Sequence, residues 1–160
     1  MRLFPALSVA GGSVARMEPR IGFVTLAVDD VERSLAFFRD GLGWASDGVV
    51  GQEYHDEVTG ADGTIAFLRL ADPELLVGLY GATDLALDAR VAPVPATTGR
   101  HSVGVMVGSR EEVDDLLARA GRAGATLPAP PHLHPFGVYS GYFVDPDGHL
   151  WEIAYDSGER

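Results

Sequence analysis

Between residues 21 and 44 the chain reads IGFVTLAVDDVERSLAFFRDGLGW, and its apolar positions change period midway. Val24, Leu26 and Val28 alternate with Phe23, Thr25 and Ala27, the two-residue period that predicts a strand over about 21–28. Asp29 or Asp30 then offers a carboxylate to the free N–H groups at a helix start. Val31, Leu35 and Phe38 recur at helical spacing, and Gly41 and Gly43 end the run. Three strand-like stretches follow, near 45–51, 64–70 and 74–80, broken by Asp62-Gly63 and Asp72-Pro73. The half reads βαβββ.

A stretch with prolines, threonines and a terminal glycine, 81–99, reads as a linker, after which the pattern returns. Val103, Val105 and Val107 alternate. Ser109 and Glu112 have the spacing of a capping box, and Val113, Leu116, Leu117 and Ala120 fall on one helix face. Strands are expected near 126–129, 139–144 and 149–155, the first of them weakened by the prolines of PAPPHLHPFG. Asp145-Pro146-Asp147-Gly148 reads as a four-residue turn joining the last two, which sets Gly141 opposite Glu152. On the final strand Trp151, Ile153 and Tyr155 share one face, and Leu150, Glu152 and Ala154 the other. A glutamate pointing away from the tryptophan asks what it meets.

Composition narrows the chemistry. The chain is 46% hydrophobic and 22% charged with a net charge of -11, the balance of a water-soluble protein that repels nucleic acid and anionic membrane. It has no cysteine, and all twelve basic residues are arginine. Disulfides, thiolate nucleophiles, sulfur-ligated zinc, lysine Schiff bases and P-loops are therefore excluded. Absence of cysteine fits a cytoplasmic location. Residues 1–20 are expected to be a disordered leader, with Met1 or Met17 as the working start.

Two βαβββ modules closing on GYFVDPDGHLWEIAY resemble the vicinal oxygen chelate superfamily, which includes glyoxalase I, bleomycin-resistance proteins, fosfomycin-resistance enzymes and extradiol dioxygenases. DDVERSLAFFRDGLGW in the first half adds to the resemblance. It implies an α+β fold over 21–156 in which modules at 21–80 and 100–156 curl a mixed sheet around a ligand cavity. It also implies a homodimer.

In metal-using members of that family, ligands stand early in each module's first strand and in each module's last strand. Glu152 matches one such place. Aligning LLVGLY with LWEIAY puts Val77 on its counterpart, and Phe23 and Ser102 occupy the first-strand places. One carboxylate in four places leaves a divalent ion poorly held, so no cofactor is expected. If a metal does bind, Glu152, His101 and His134 are its candidate ligands, although strand parity turns His101 away from the cavity unless a bulge intervenes.

The cavity is then expected to be lined by Phe23, Thr25, Ser102 and Met106, with Trp44, Phe136, Tyr139 and Phe143 as walls and Glu152 as the catalytic or recognition group. Glu152 is either a buried acid or base or a carboxylate paired with an arginine such as Arg69 or Arg100. The expected function is to bind a small organic molecule without metal, sequestering it or acting on it. A divalent-metal lyase or isomerase similar to glyoxalase I is the alternative. A bleomycin-type drug-binding resistance protein is a further one, whose cationic drugs would suit the acidic surface.

Overall fold

The computed structural model describes residues 21–70, 75–93, 95, 98–135, 137–156 and 158. The first half forms β1 (Phe23–Val28), α1 (Val31–Ala36), a π-helical continuation (Phe37–Gly41), β2 (Ala45–Val50), β3 (Ile65–Leu70) and β4 (Leu75–Gly81). A helix, α2 (Ala82–Ala89), opens the predicted linker. The second half forms β5 (Ser102–Met106), α3 (Arg110–Ala123), β6 (His132–Leu133), β7 (Val138–Val144) and β8 (Leu150–Asp156). Each half builds a four-stranded mixed sheet, in the orders β1-β4-β3-β2 and β5-β8-β7-β6, with the first strand parallel to the last.

Helix starts follow the sequence signals. Asp30 accepts from Arg33 N at 2.9 Å as the cap of α1. Ser109 accepts from Glu112 N at 3.2 Å while the Glu112 carboxylate accepts from Gly108 N at 2.7 Å, so two orphan N–H groups are satisfied at once. The strand expected near 126–129 reduces to a bridge between Thr126 and Val144. Pro128, Pro130 and Pro131 have no N–H to continue a ladder, and the pairing moves on to His132–Leu133.

Helices α1 and α3 cover one face of the sheets, and the core crosses the halves. Trp151 of β8 is fully buried among Phe38 and Trp44 of the first half, with ring centroids at 5.1 and 5.2 Å, and stacks on Phe143 at 6.0 Å. Leu26, Val28, Leu68, Val77 and Leu79 belong to the same core. Polar groups fasten the halves as well. The Asp147 carboxylate accepts from Asp29 N at 3.1 Å, from Arg33 Nη2 at 2.6 Å and from the hydroxyl of buried Ser34, and His149 Nε2 donates to the Ala27 carbonyl at 2.7 Å. The turn that identifies the second module is therefore also a latch onto the first.

Candidate functional site

The turn sets the site. Asp145 N donates to the His149 carbonyl at 3.0 Å, so three residues, Pro146, Asp147 and Gly148, lie between a closing pair, and Gly148 takes φ +92 as such loops require. The buried Asp145 carboxylate holds this shape, accepting from Asp147 N at 3.0 Å, His149 N at 2.9 Å and Trp151 Nε1 at 3.0 Å. A three-residue loop shifts the register by one from the four-residue reading. Tyr142, not Gly141, stands opposite Glu152, and Gly141 turns to the helix side, where a Cβ would lie 2.6 Å from Leu117 Cδ1.

Trp151 and Glu152 do take opposite faces, as the parity predicts. On the face away from the helices, half-buried Glu152 lies between Tyr142 of β7 and Gly104 of β5. Ser140, 1% exposed, donates its hydroxyl to Glu152 Oε1 at 2.9 Å, and His134 Nε2 lies 3.1 Å from the same hydroxyl oxygen. With the serine proton given to Glu152, the serine oxygen is left to accept from His134 Nε2–H. The Tyr142 phenol is raised above its usual range, first by burial, then by its hydrogen bond to Glu152 and that group's charge. Beside this cluster Gly104 leaves open space, since a Cβ there would meet nothing within 4 Å. Beyond Tyr142 the same face opens into a cleft of about 480 Å3 lined by Arg100, His101, Ser102, Pro128, Tyr142 and Leu150.

The sequence-predicted residues divide. Ser102 lines the cleft, with Glu152 beside it rather than in its wall. Met106 shares their face and is 64% exposed. Phe23, 49% exposed, and Thr25 lie on the corresponding face of the first sheet and do not line this cleft. Trp44 and Phe143 are corrected from cavity walls to core: Trp44 stacks on Phe38 at 5.3 Å, and Phe143 is fully buried against Trp151. Tyr139 lies on the helix side, donating to Asp114 at 2.9 Å beneath Arg110. Phe136 lies outside the described residues. Ser140 and Tyr142 were missed, and Arg100, expected only as a possible partner of Glu152, lines the cleft. Alternation along 138–144 holds the signal for Ser140 and Tyr142, and the loop length hid it.

The register also corrects the repeat. Val24 pairs with Val77 as Val103 pairs with Trp151, so the counterpart of Glu152 is Gly78, and Val77 faces the core. The four family ligand places therefore hold Phe23, Gly78, Ser102 and Glu152. His101 precedes β5 and escapes its parity, so it borders the cleft after all, its ring 6.3 Å from that of His149. His134 is linked to Glu152 through Ser140. Among the described residues no three His, Asp or Glu side chains converge to hold a metal ion. The donor set does not fit a catalytic divalent ion, which needs about three strong protein ligands. Arg69 pairs with Asp47 rather than with Glu152.

The fold has relatives among solved structures. A glyoxalase-related enzyme from Fulvimarina pelagi is 29% identical over 85% of this chain and 87% of that one, with a TM-score of 0.67. A glyoxalase/bleomycin resistance protein/dioxygenase from Nocardioides is 22% identical over 92% and 89%, TM-score 0.64. Lactoylglutathione lyase from Agrobacterium tumefaciens is 21% identical over 89% and 98%, TM-score 0.62. No curated protein sequence matches significantly. The sequence model of one family spans residues 20–153, the paired modules and the Asp145–Gly148 turn together, and the chain belongs to that family, the Glyoxalase/Bleomycin resistance protein/Dioxygenase superfamily.

Proposed function

We propose that this chain binds a small organic molecule across the outer face of its second sheet, over Glu152, and works without a resident metal. The observation that carries the reading is the bond from buried Ser140 to Glu152. It holds a half-buried carboxylate in one orientation, with Tyr142 opposite and open space over Gly104. Such a group accepts a hydrogen bond from a ligand hydroxyl or amine, or takes a proton from an acidic position. Sequestration and acid–base turnover both use this arrangement. Likeness to lactoylglutathione lyase supports a metal-dependent lyase as the competing enzyme reading, and the donor set speaks against it.

A homodimer and a cytoplasmic location go with the proposal. Phe23 and Met106 leave apolar surface on the outer sheet faces for a second copy to cover. No helix among the described residues is long and apolar enough to cross a membrane. A small-molecule screen by amide NMR tests the site: compounds that bind should shift Gly104, Ser140, Tyr142 and Glu152. Ligands that consistently bind elsewhere would refute the site. Near-stoichiometric metal on purified protein, lost in Glu152→Ala, would refute the metal-free part.

A further inference from the structure

We infer that the cleft beside Glu152 takes a small organic anion, a carboxylate or phosphate ester, with Arg100 as its anchor; this rests on the proposed site and names its ligand class. The chain carries a net charge of -11, yet the lining of this cleft has the opposite bias. Among the described residues it contains Arg100 and His101 and no carboxylate. The acidic groups and the second histidine nearby already have work. Glu152 accepts from Ser140, Asp147 holds the first half, and His149 donates to Ala27. Arg100 is exposed and has no hydrogen-bond or ion-pair partner among the described residues, although acidic side chains outnumber basic ones 23 to 12 in the chain.

An unpaired guanidinium at the edge of a concave site presents a planar fork of donors that matches a carboxylate or phosphate. Ser102 lines the same cleft. Leu150 and Pro128 supply apolar wall for the body of the ligand, and Tyr142 leads to Glu152 at the far end. The charges order the ligand: its anionic group goes to Arg100, away from Glu152, and a hydroxyl or other donor goes to Glu152. A volume of about 480 Å3 suits a molecule of roughly one aromatic ring with side groups. A cationic drug, which the overall charge favours, would place its charge against Arg100.

The test uses four matched probes on the full chain: phenylacetate, phenyl phosphate, neutral phenylacetamide and cationic phenethylammonium, each titrated by amide NMR. Either anion should shift Gly99, Ser102 and Leu150 saturably, and which one binds tighter identifies the source of the charge. Arg100→Gln should weaken anion binding about tenfold to a hundredfold, the range for a hydrogen bond to a charged group, without moving the melting temperature. Phenylacetamide should bind more weakly and ignore the substitution. Phenethylammonium or phenylacetamide binding at least as tightly as the anions, and depending on Glu152 but not on Arg100, would overturn the anion inference and leave the proposed site standing. No saturable shift from either anion at millimolar concentration also overturns the inference. The proposed site itself falls only if the broader screen leaves the Glu152 face silent.

Discussion

Replacing Asp147 by alanine should cost more stability than its place in a surface turn suggests. Three donors from the first half converge on this carboxylate, whose side chain is only 3% exposed. Ser34 is 1% exposed, so orphaning its hydroxyl costs about 1–3 kcal/mol. Losing the acceptor for Asp29 N at the start of α1 resembles loss of a helix cap, about 0.5–2 kcal/mol. Arg33 is half exposed, and solvent screening limits its pair to at most about 1 kcal/mol. Removing a carboxylate that folding had desolvated offsets part of this sum, so the expected loss is about 2–4 kcal/mol. For a chain of this length that lowers the melting temperature by roughly 4–16 °C. Urea unfolding, monitored through Trp44 and Trp151, measures it. Asp147→Asn should recover part of the loss, because the amide oxygen still accepts from one donor and the Ser34 hydroxyl can turn to accept from the amide. A cycle with Ser34→Ala should give a coupling of about 0.5–3 kcal/mol. An Asp147→Ala variant within about 0.5 kcal/mol of the parent, like an ordinary surface change, would refute the latch.

Gly141→Ala should destabilise the fold by about 1–3 kcal/mol, because its Cβ would overlap Leu117 and Pro131, whereas Gly104→Ala, with open space, should leave unfolding midpoints unchanged. Ultraviolet titration should find the Tyr142 phenol ionising above the ordinary 10.0; Glu152→Gln should lower that midpoint only in part, since burial is the larger cause. Because the folded value is raised, its contribution to stability is present below the unfolded value and is lost as pH rises through the folded one. His55, beside Asp62, should titrate above 6.5 by NMR and return toward it in Asp62→Asn.

Alternating and helical periods made the strand–helix openings of both halves legible in the sequence, down to the Ser109–Glu112 box. Single-residue register was not legible at the one place where the site needed it. A four-residue and a three-residue loop are written with the same Asp-Pro-Asp-Gly letters, and the choice between them decides whether Gly141 or Tyr142 faces Glu152. A separate one-residue slip, in aligning LLVGLY with LWEIAY, placed Val77, a core residue, on a ligand position. Helix α2 was hidden because the prolines at 93 and 95 coloured the whole segment, although 82–89 has none and is rich in alanine and leucine. Aromatic walls were misread for a different reason: size and hydrophobicity do not say which side of a sheet a ring covers, and Trp44 and Phe143 went to the core. The link from His134 to Ser140 crosses a proline-rich loop whose path carries no periodic signal.

If Glu152 serves ligand binding rather than folding, as proposed, Glu152→Gln separates the two roles. Glutamine keeps the shape, and its amide oxygen still accepts from Ser140, so the melting temperature should stay within the shift expected of about 0.5 kcal/mol while affinity or turnover for a ligand found on this face falls. Trp151→Ala is the opposite control, expected to lose about 3–5 kcal/mol through the emptied core. A glutamine variant that melts far earlier yet binds normally would contradict a ligand-binding role and make Glu152 a structural partner of Ser140.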